Sequence, residues 1–215
     1  MNEQTGKENI DGKEEDSPEI KVILLGESGV GKTNLINVAM GQKFDPDSKL
    51  SVVNSYSRGV IEIEGKKHHY ALWDTAGQEK FRSISKIFIK GAHIVIIVFS
   101  IDNRESFQQI DYWINSAKEV LGSEEYIMAL AANKSDLLDQ SNIISDEEID
   151  KKAKELKMKA KRTSALVDAK GFKNYLNHLL KCYIRKVNPN FSKDTKSVKI
   201  DKTGHKNRAK KKKCC

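Results

Sequence analysis

Cysteine is scarce in this chain: there are three, Cys182, Cys214 and Cys215, among 215 residues. Such a set builds no disulfide framework and has no metal-ligand spacing. Long apolar runs are missing too. Residues 94–99, Ile-Val-Ile-Ile-Val-Phe, are of strand length, far short of the about 18 needed to span a bilayer. The first twenty residues are acidic and lack an apolar core, so no secretory signal is expected. Hydrophobic residues make up only 38% and charged residues 32%. That is low for a compact domain, and part of the chain is expected to stay unfolded. These absences point to the cytosol, with something unusual at the last two residues.

Charge is unevenly spread. The total is +8, but residues 1–19 carry −5 and residues 181–215 carry +11, which leaves +2 for the middle. The pI of 9.2 therefore belongs to the tail. A near-neutral fold is poor support for a nucleic-acid-binding surface.

One stretch organises the rest: Gly26-Glu27-Ser28-Gly29-Val30-Gly31-Lys32-Thr33. It fits G-x-x-x-x-G-K-[ST], the P-loop. An apolar strand precedes it at 20–25 and a helix follows at 34–40, which is the context the motif requires. Glycines let successive N–H groups turn toward an anion, and the helix N-terminus adds partial positive charge. Lys32 suits the β- and γ-phosphates, and the Thr33 hydroxyl suits Mg²⁺.

The remaining pattern reads as alternating strands and helices. Residues 1–19 are polar and aperiodic, an arm without a fold of its own. Residues 42–57 are polar and irregular and hold Phe44 just past the helix. A hairpin follows, with arms at 60–64 and 69–73 and a turn at Gly65-Lys66. Asp74 ends the second arm, where ligands sit in open α/β sheets. Strands are expected at 94–99 and 126–131, with a helix over 103–121 between them. Ser145-Asp146-Glu147-Glu148 is a capping box opening a helix to about Lys157. A short strand at 159–162 delivers Thr163-Ser164-Ala165. The last helix starts near Gly171, and Cys182 beside its apolar stripe reads as a packed thiol. The expected fold is a P-loop doubly wound α/β domain over 20–187. Its six-stranded sheet is mostly parallel, with one antiparallel edge strand and about five helices. Residues 188–215 form a basic tail.

Four stretches together resemble the Ras-superfamily small GTPases: residues 26–33, Asp74-Thr75-Ala76-Gly77-Gln78-Glu79, Asn133-Lys134-Ser135-Asp136 and Thr163-Ser164-Ala165. The run 73–82, Lys90-Gly91-Ala92-His93 and the terminal cysteine pair are similar to the Rab branch. The resemblance implies GTP/GDP binding with Mg²⁺ and slow intrinsic hydrolysis of GTP to GDP and phosphate. It assigns phosphate contacts to Ser28, Gly29, Val30, Gly31, Lys32, Thr33 and Asn34. Asp136 would read guanine, because its carboxylate can accept from the guanine amino and ring N–H groups, a donor pair that adenine lacks. Asn133 belongs to the same motif, Lys134 would lie along the base, and Ser164 and Ala165 would supply backbone N–H groups. Phe44 matches an aromatic that stacks on the base; a plain hydrophobic anchor is its other reading. Mg²⁺ would be held by Thr33, Ser51 and Asp74. Gly77 would report the γ-phosphate and Gln78 would orient the attacking water. Arg82 reads as a solvated residue rather than a catalytic finger.

Departures from the family pattern are local. Ser51 stands where a threonine is usual, and Val52-Val53-Asn54-Ser55-Tyr56 replaces a pattern near Ile-Gly-Val-Asp-Phe. Leu166 replaces a lysine after Ala165. The resemblance implies effectors, an exchange factor, a GTPase-activating protein and an escort or GDP-dissociation inhibitor of Rab type. At the tail, a basic run such as Lys210-Lys211-Lys212-Lys213 alone suggests nucleic acid, nuclear import or anionic lipid. Cys214 and Cys215 favour the last, since they resemble the Rab ending that carries two prenyl groups. Two chains plus a basic run would give stable anchoring, which implies the cytoplasmic face of an intracellular membrane and cycling with cytosol. The competing readings are a GTP-binding module with impaired hydrolysis, a P-loop ATPase or kinase, and a basic nucleic-acid-binding protein.

Overall fold

A computed structural model describes residues 18–47, 55–75, 82–137 and 143–189. Among them, six strands form one sheet: β1 (Ile20–Leu25), β2 (Ser55–Ile63), β3 (Lys66–Asp74), β4 (Ile94–Ser100), β5 (Ile127–Asn133) and β6 (Lys159–Arg162). Their spatial order is β2-β3-β1-β4-β5-β6. Every pairing is parallel except β2 with β3, so β2 is an antiparallel edge strand. The helices are α1 (Lys32–Ala39), α2 (Arg82–Ile89), α3 (Arg104–Gln108), α4 (Ile110–Leu121), α5 (Asp146–Leu156) and α6 (Ala169–Val187). None of the described helices is long and apolar enough to cross a membrane.

The apolar strands are continuous because both faces are covered. In β4, Ile94, Ile96 and Val98 join one core layer, beneath α1 and α6. Val95, Ile97 and Phe99 join the other, beneath α2, α4 and α5. Strand alternation thus divides one hydrophobic run between two cores. In α6, Phe172, Tyr175, Leu176, Leu179, Tyr183 and Ile184 are buried. The Tyr175 hydroxyl ties that helix to the sheet by donating to the carbonyls of Leu130 and Lys159, each at 3.1 Å. Cys182 is buried, with its thiol 3.5 Å from His178 Nε2.

Several boundaries differ from the sequence expectation. The hairpin is longer: pairing begins at Ser55 opposite Asp74 and ends at Ile63 opposite Lys66. Its two-residue turn is Glu64-Gly65, both at positive φ (53° and 79°), the geometry that matches the twist of paired strands. Second, helix 103–121 is broken at Gln109 (φ −80°, ψ −1°) into α3 and α4, which makes six helices rather than five. Asn103 caps α3, its side chain accepting from the Ser106 N–H at 2.9 Å. The last helix opens two residues early, where the Asp168 side chain accepts from the Gly171 N–H at 2.8 Å. Finally, α1 begins at Lys32, inside the glycine-loop motif. The capping box at Ser145 is present with both of its hydrogen bonds.

Candidate functional site

The carboxyl ends of β1, β3, β4, β5 and β6 open onto one edge of the sheet. β1 lies between β3 and β4, and ligands in such sheets occupy the crevice outside these ends. The glycine loop follows β1 there. Gly26 is pressed against β4, where a Cβ would stand 2.0 Å from the Val98 carbonyl oxygen. Gly31 has φ +92°, and a Cβ there would meet Asn133 Nδ2 at 2.5 Å. Both positions are closed to side chains, so the backbone itself faces the crevice.

Lys32 is 5% exposed. Its ammonium donates to the carbonyls of Gly26 and Glu27, both at 2.8 Å. Burial pushes its pKa down to about 8, against the opposing pull of Asp74 and Glu27. A cation whose pKa is held down by burial stands to gain from an added anion, which would favour its charged form. Next to it, the Thr33 hydroxyl donates to Asp74 Oδ2 at 2.7 Å. A hydroxyl and a carboxylate in contact are hard oxygen donors of the kind Mg²⁺ takes, so this pair fits the ion. Thr75 fixes the end of β3 by donating to the Leu24 carbonyl at 2.6 Å.

The loop after β5 is sewn to the glycine loop. Asn133 is 1% exposed, and its Nδ2 donates to the Val30 carbonyl at 2.8 Å. The Thr163 hydroxyl donates to Asn133 Oδ1 at 3.3 Å. One carboxamide therefore joins the loops that follow β1, β5 and β6. Lys134 has φ +60°, and its ammonium lies 3.5 Å from Asp102 Oδ2. Asp136 sits on a 3₁₀ turn, Ser135–Leu137, and accepts from the Ser164 hydroxyl. Ser164 Oγ in turn accepts from the N–H groups of Leu166 and Val167 at 3.2 and 3.1 Å. Ala165 is buried, while Leu166 and Val167 are exposed.

Two expected site residues have their side chains occupied elsewhere. Asn34 clamps the loop after α1, donating to the Asp45 carbonyl at 2.9 Å and accepting from the Asp45 N–H at 3.0 Å. Phe44 is half-buried and packs against the core that α1 and α6 cover. Ser51, Gly77, Gln78, Cys214 and Cys215 lie outside the described residues. Asp102 and Trp113 were not singled out from the sequence. Asp102 follows β4 as Asp74 ends β3, and that signal could have found it.

Asn133→Ala is expected to destabilise the fold even without a ligand. It removes the donor to a buried carbonyl and the acceptor of a buried hydroxyl, a loss of about 2–5 kcal/mol. Denaturation of the nucleotide-free protein would register this, and an unchanged midpoint would contradict the joint.

Comparison with known proteins agrees with this geometry. The Ras family model matches residues 21–185. One similar protein is a Ras-related protein Rab-18 of Lymnaea stagnalis, 33% identical over 117 residues, covering 54% of this chain. The match spans 58% of that relative's length.

Proposed function

Because this chain belongs to the Ras family, we propose that it is a Rab-type GTPase switch. It binds GTP and GDP with Mg²⁺, hydrolyses GTP slowly by itself, and signals its state to partners in membrane traffic. What supports this most is the joining of the glycine loop to the 133–136 loop by one buried carboxamide. A phosphate cradle and a base-reading carboxylate then share a crevice.

The loop N–H groups and Lys32 would bind the phosphates. Mg²⁺, held by Thr33, Asp74 and Ser51, would neutralise phosphate charge. Asp136 would accept from the guanine amino and ring N–H groups, held in place by Ser164. Lys134, Ala165 and Phe44 would border the base. Gln78 would orient the attacking water and Gly77 would sense the γ-phosphate. A GTPase-activating partner would complete the electrostatics, worth roughly 10³–10⁵ in rate. We extend the proposal to the ends of the chain. Residues 1–19 and 188–215 are arms around a domain at 20–187, and Cys214 and Cys215 take two lipid chains beside the basic run. Such a protein would work on the cytoplasmic face of an intracellular membrane, served by an exchange factor and a GDP-dissociation inhibitor. The stretch 51–56 departs from the family pattern, so its effectors would differ.

The test is single-turnover hydrolysis on the full chain. Gln78→Leu should leave GTP binding intact and slow hydrolysis on the order of 10²-fold, the scale of a misplaced nucleophile. An equal rate in wild type and variant would remove Gln78 from the reaction. Tight GTP binding with no wild-type turnover would favour a switch module that does not hydrolyse, the reading to which Ser51 in place of threonine lends support.

A further inference from the structure

The second residue of the glycine loop is held from outside the loop. Glu27 Oε1 accepts from the indole N–H of Trp113 at 3.1 Å, across 86 residues of sequence. Trp113 is 1% exposed and lies in the core beneath α4. The same Glu27 offers its backbone carbonyl to the Lys32 ammonium at 2.8 Å, and its negative charge opposes the burial that lowers the Lys32 pKa. α4 also packs against α2, where Lys86 donates to both carboxylate oxygens of Glu119 at 2.8 and 2.9 Å. α2 follows the 76–81 stretch that contains Gly77 and Gln78.

We propose that Trp113 is a positioning residue for the phosphate-binding lysine, acting through the Glu27 carboxylate. The inference rests on the nucleotide-binding reading above. A core indole has no need of a carboxylate for packing; a ring of similar shape without the N–H would fill the space. What the N–H adds is a fixed direction for Glu27. A directed Glu27 keeps its charge near Lys32, whose ammonium the Glu27 backbone carbonyl also accepts from. Lys32 then meets a phosphate already oriented, and less freedom is lost on binding. The same bond ties the loop to α4. A shift of α4 against α2 would therefore reach the phosphate grip through a short chain of contacts.

The test measures GDP dissociation from the full chain in Mg²⁺, using a fluorescent GDP analogue chased with unlabelled GDP. Trp113→Phe keeps the apolar ring and removes the donor, and dissociation should quicken by about tenfold, the scale of one charge-assisted hydrogen bond. Glu27→Ala should quicken it equally. That variant touches a half-exposed residue, so the test survives if Trp113→Phe folds poorly. On the Glu27→Ala background, Trp113→Phe should change the dissociation rate no further, while its effect on the denaturation midpoint persists. A merely structural tryptophan would give additive effects on dissociation, which would overturn the proposal. So would wild-type dissociation rates in both single variants. If the wild type binds no GDP, the nucleotide reading itself fails and takes this inference with it. A spectroscopic arm checks the contact directly. With Trp73→Phe leaving Trp113 as the one indole, Glu27→Ala should shift its emission. An unchanged spectrum would count against the bond.

Discussion

Asp136→Ala is expected to weaken guanine nucleotide binding by about 10²–10⁴-fold while leaving the weak binding of ATP unchanged. The carboxylate would accept two hydrogen bonds from the base. Each bond to a charged group contributes about 1.5–3 kcal/mol, and together about 3–6 kcal/mol gives that range. The loop itself should survive the change. Ser164 Oγ loses Asp136 as its acceptor but still accepts from the N–H groups of Leu166 and Val167. Asn133 keeps its bond to Val30. Displacement of labelled GDP by unlabelled GDP and ATP would measure the loss. A variant that still prefers GDP over ATP by the wild-type factor would show that this carboxylate does not read the base.

Lys32→Met should have two effects of different sign. Removing a buried, hydrogen-bonded charge partner of the phosphates costs about 2–5 kcal/mol, roughly 30- to 5,000-fold in nucleotide affinity. In the nucleotide-free protein, however, Lys32 is a burden. Its folded pKa is about 8, below the ordinary 10.5. Between those values the unfolded chain binds more protons than the folded one, so stability rises with pH through that window. Below pH 8 the penalty, roughly 3 kcal/mol, is fully present. Methionine removes that penalty, although the carbonyls of Gly26 and Glu27 lose their donor. The distinguishing result is the pH profile. Wild-type stability without nucleotide should climb from pH 8 to 10, and the variant should lose this climb. Bound phosphate should flatten the wild-type profile as well, because it restores the proton to Lys32. Parallel profiles for the two proteins would contradict the burial of a charged Lys32.

Most of the sheet was legible because its signals are local. Continuous apolar runs marked β1, β4 and β5, and the capping box marked the start of α5. The start of β2 was not legible. Residues 55–59, Ser-Tyr-Ser-Arg-Gly, carry no apolar alternation, and Tyr56 is exposed; pairing with β3 decides the length of this edge strand. The stacking of Tyr56 on Trp73, with ring centroids 5.0 Å apart, joins residues from the two strands. The break at Gln109 carries no glycine or proline to announce it. In the site, motif spacing singled out Lys32, Thr33, Asp74 and Asp136, because residue type alone suggests a role for each. It could not foresee that Asn133 faces the glycine loop, that Asn34 clamps Asp45, or that Trp113 holds Glu27. Those are contacts between side chains and distant partners, and they arise only when the strands are ordered.

The most direct measurement is equilibrium competition on the purified full chain in Mg²⁺. Labelled GDP is bound, then challenged separately with GTP, GDP, ATP and ADP. Displacement by both guanine nucleotides at stoichiometric concentrations, and none by the adenine nucleotides at a hundredfold excess, is expected. Equal displacement by ATP, or no GDP binding at all, would contradict the proposed guanine-nucleotide site.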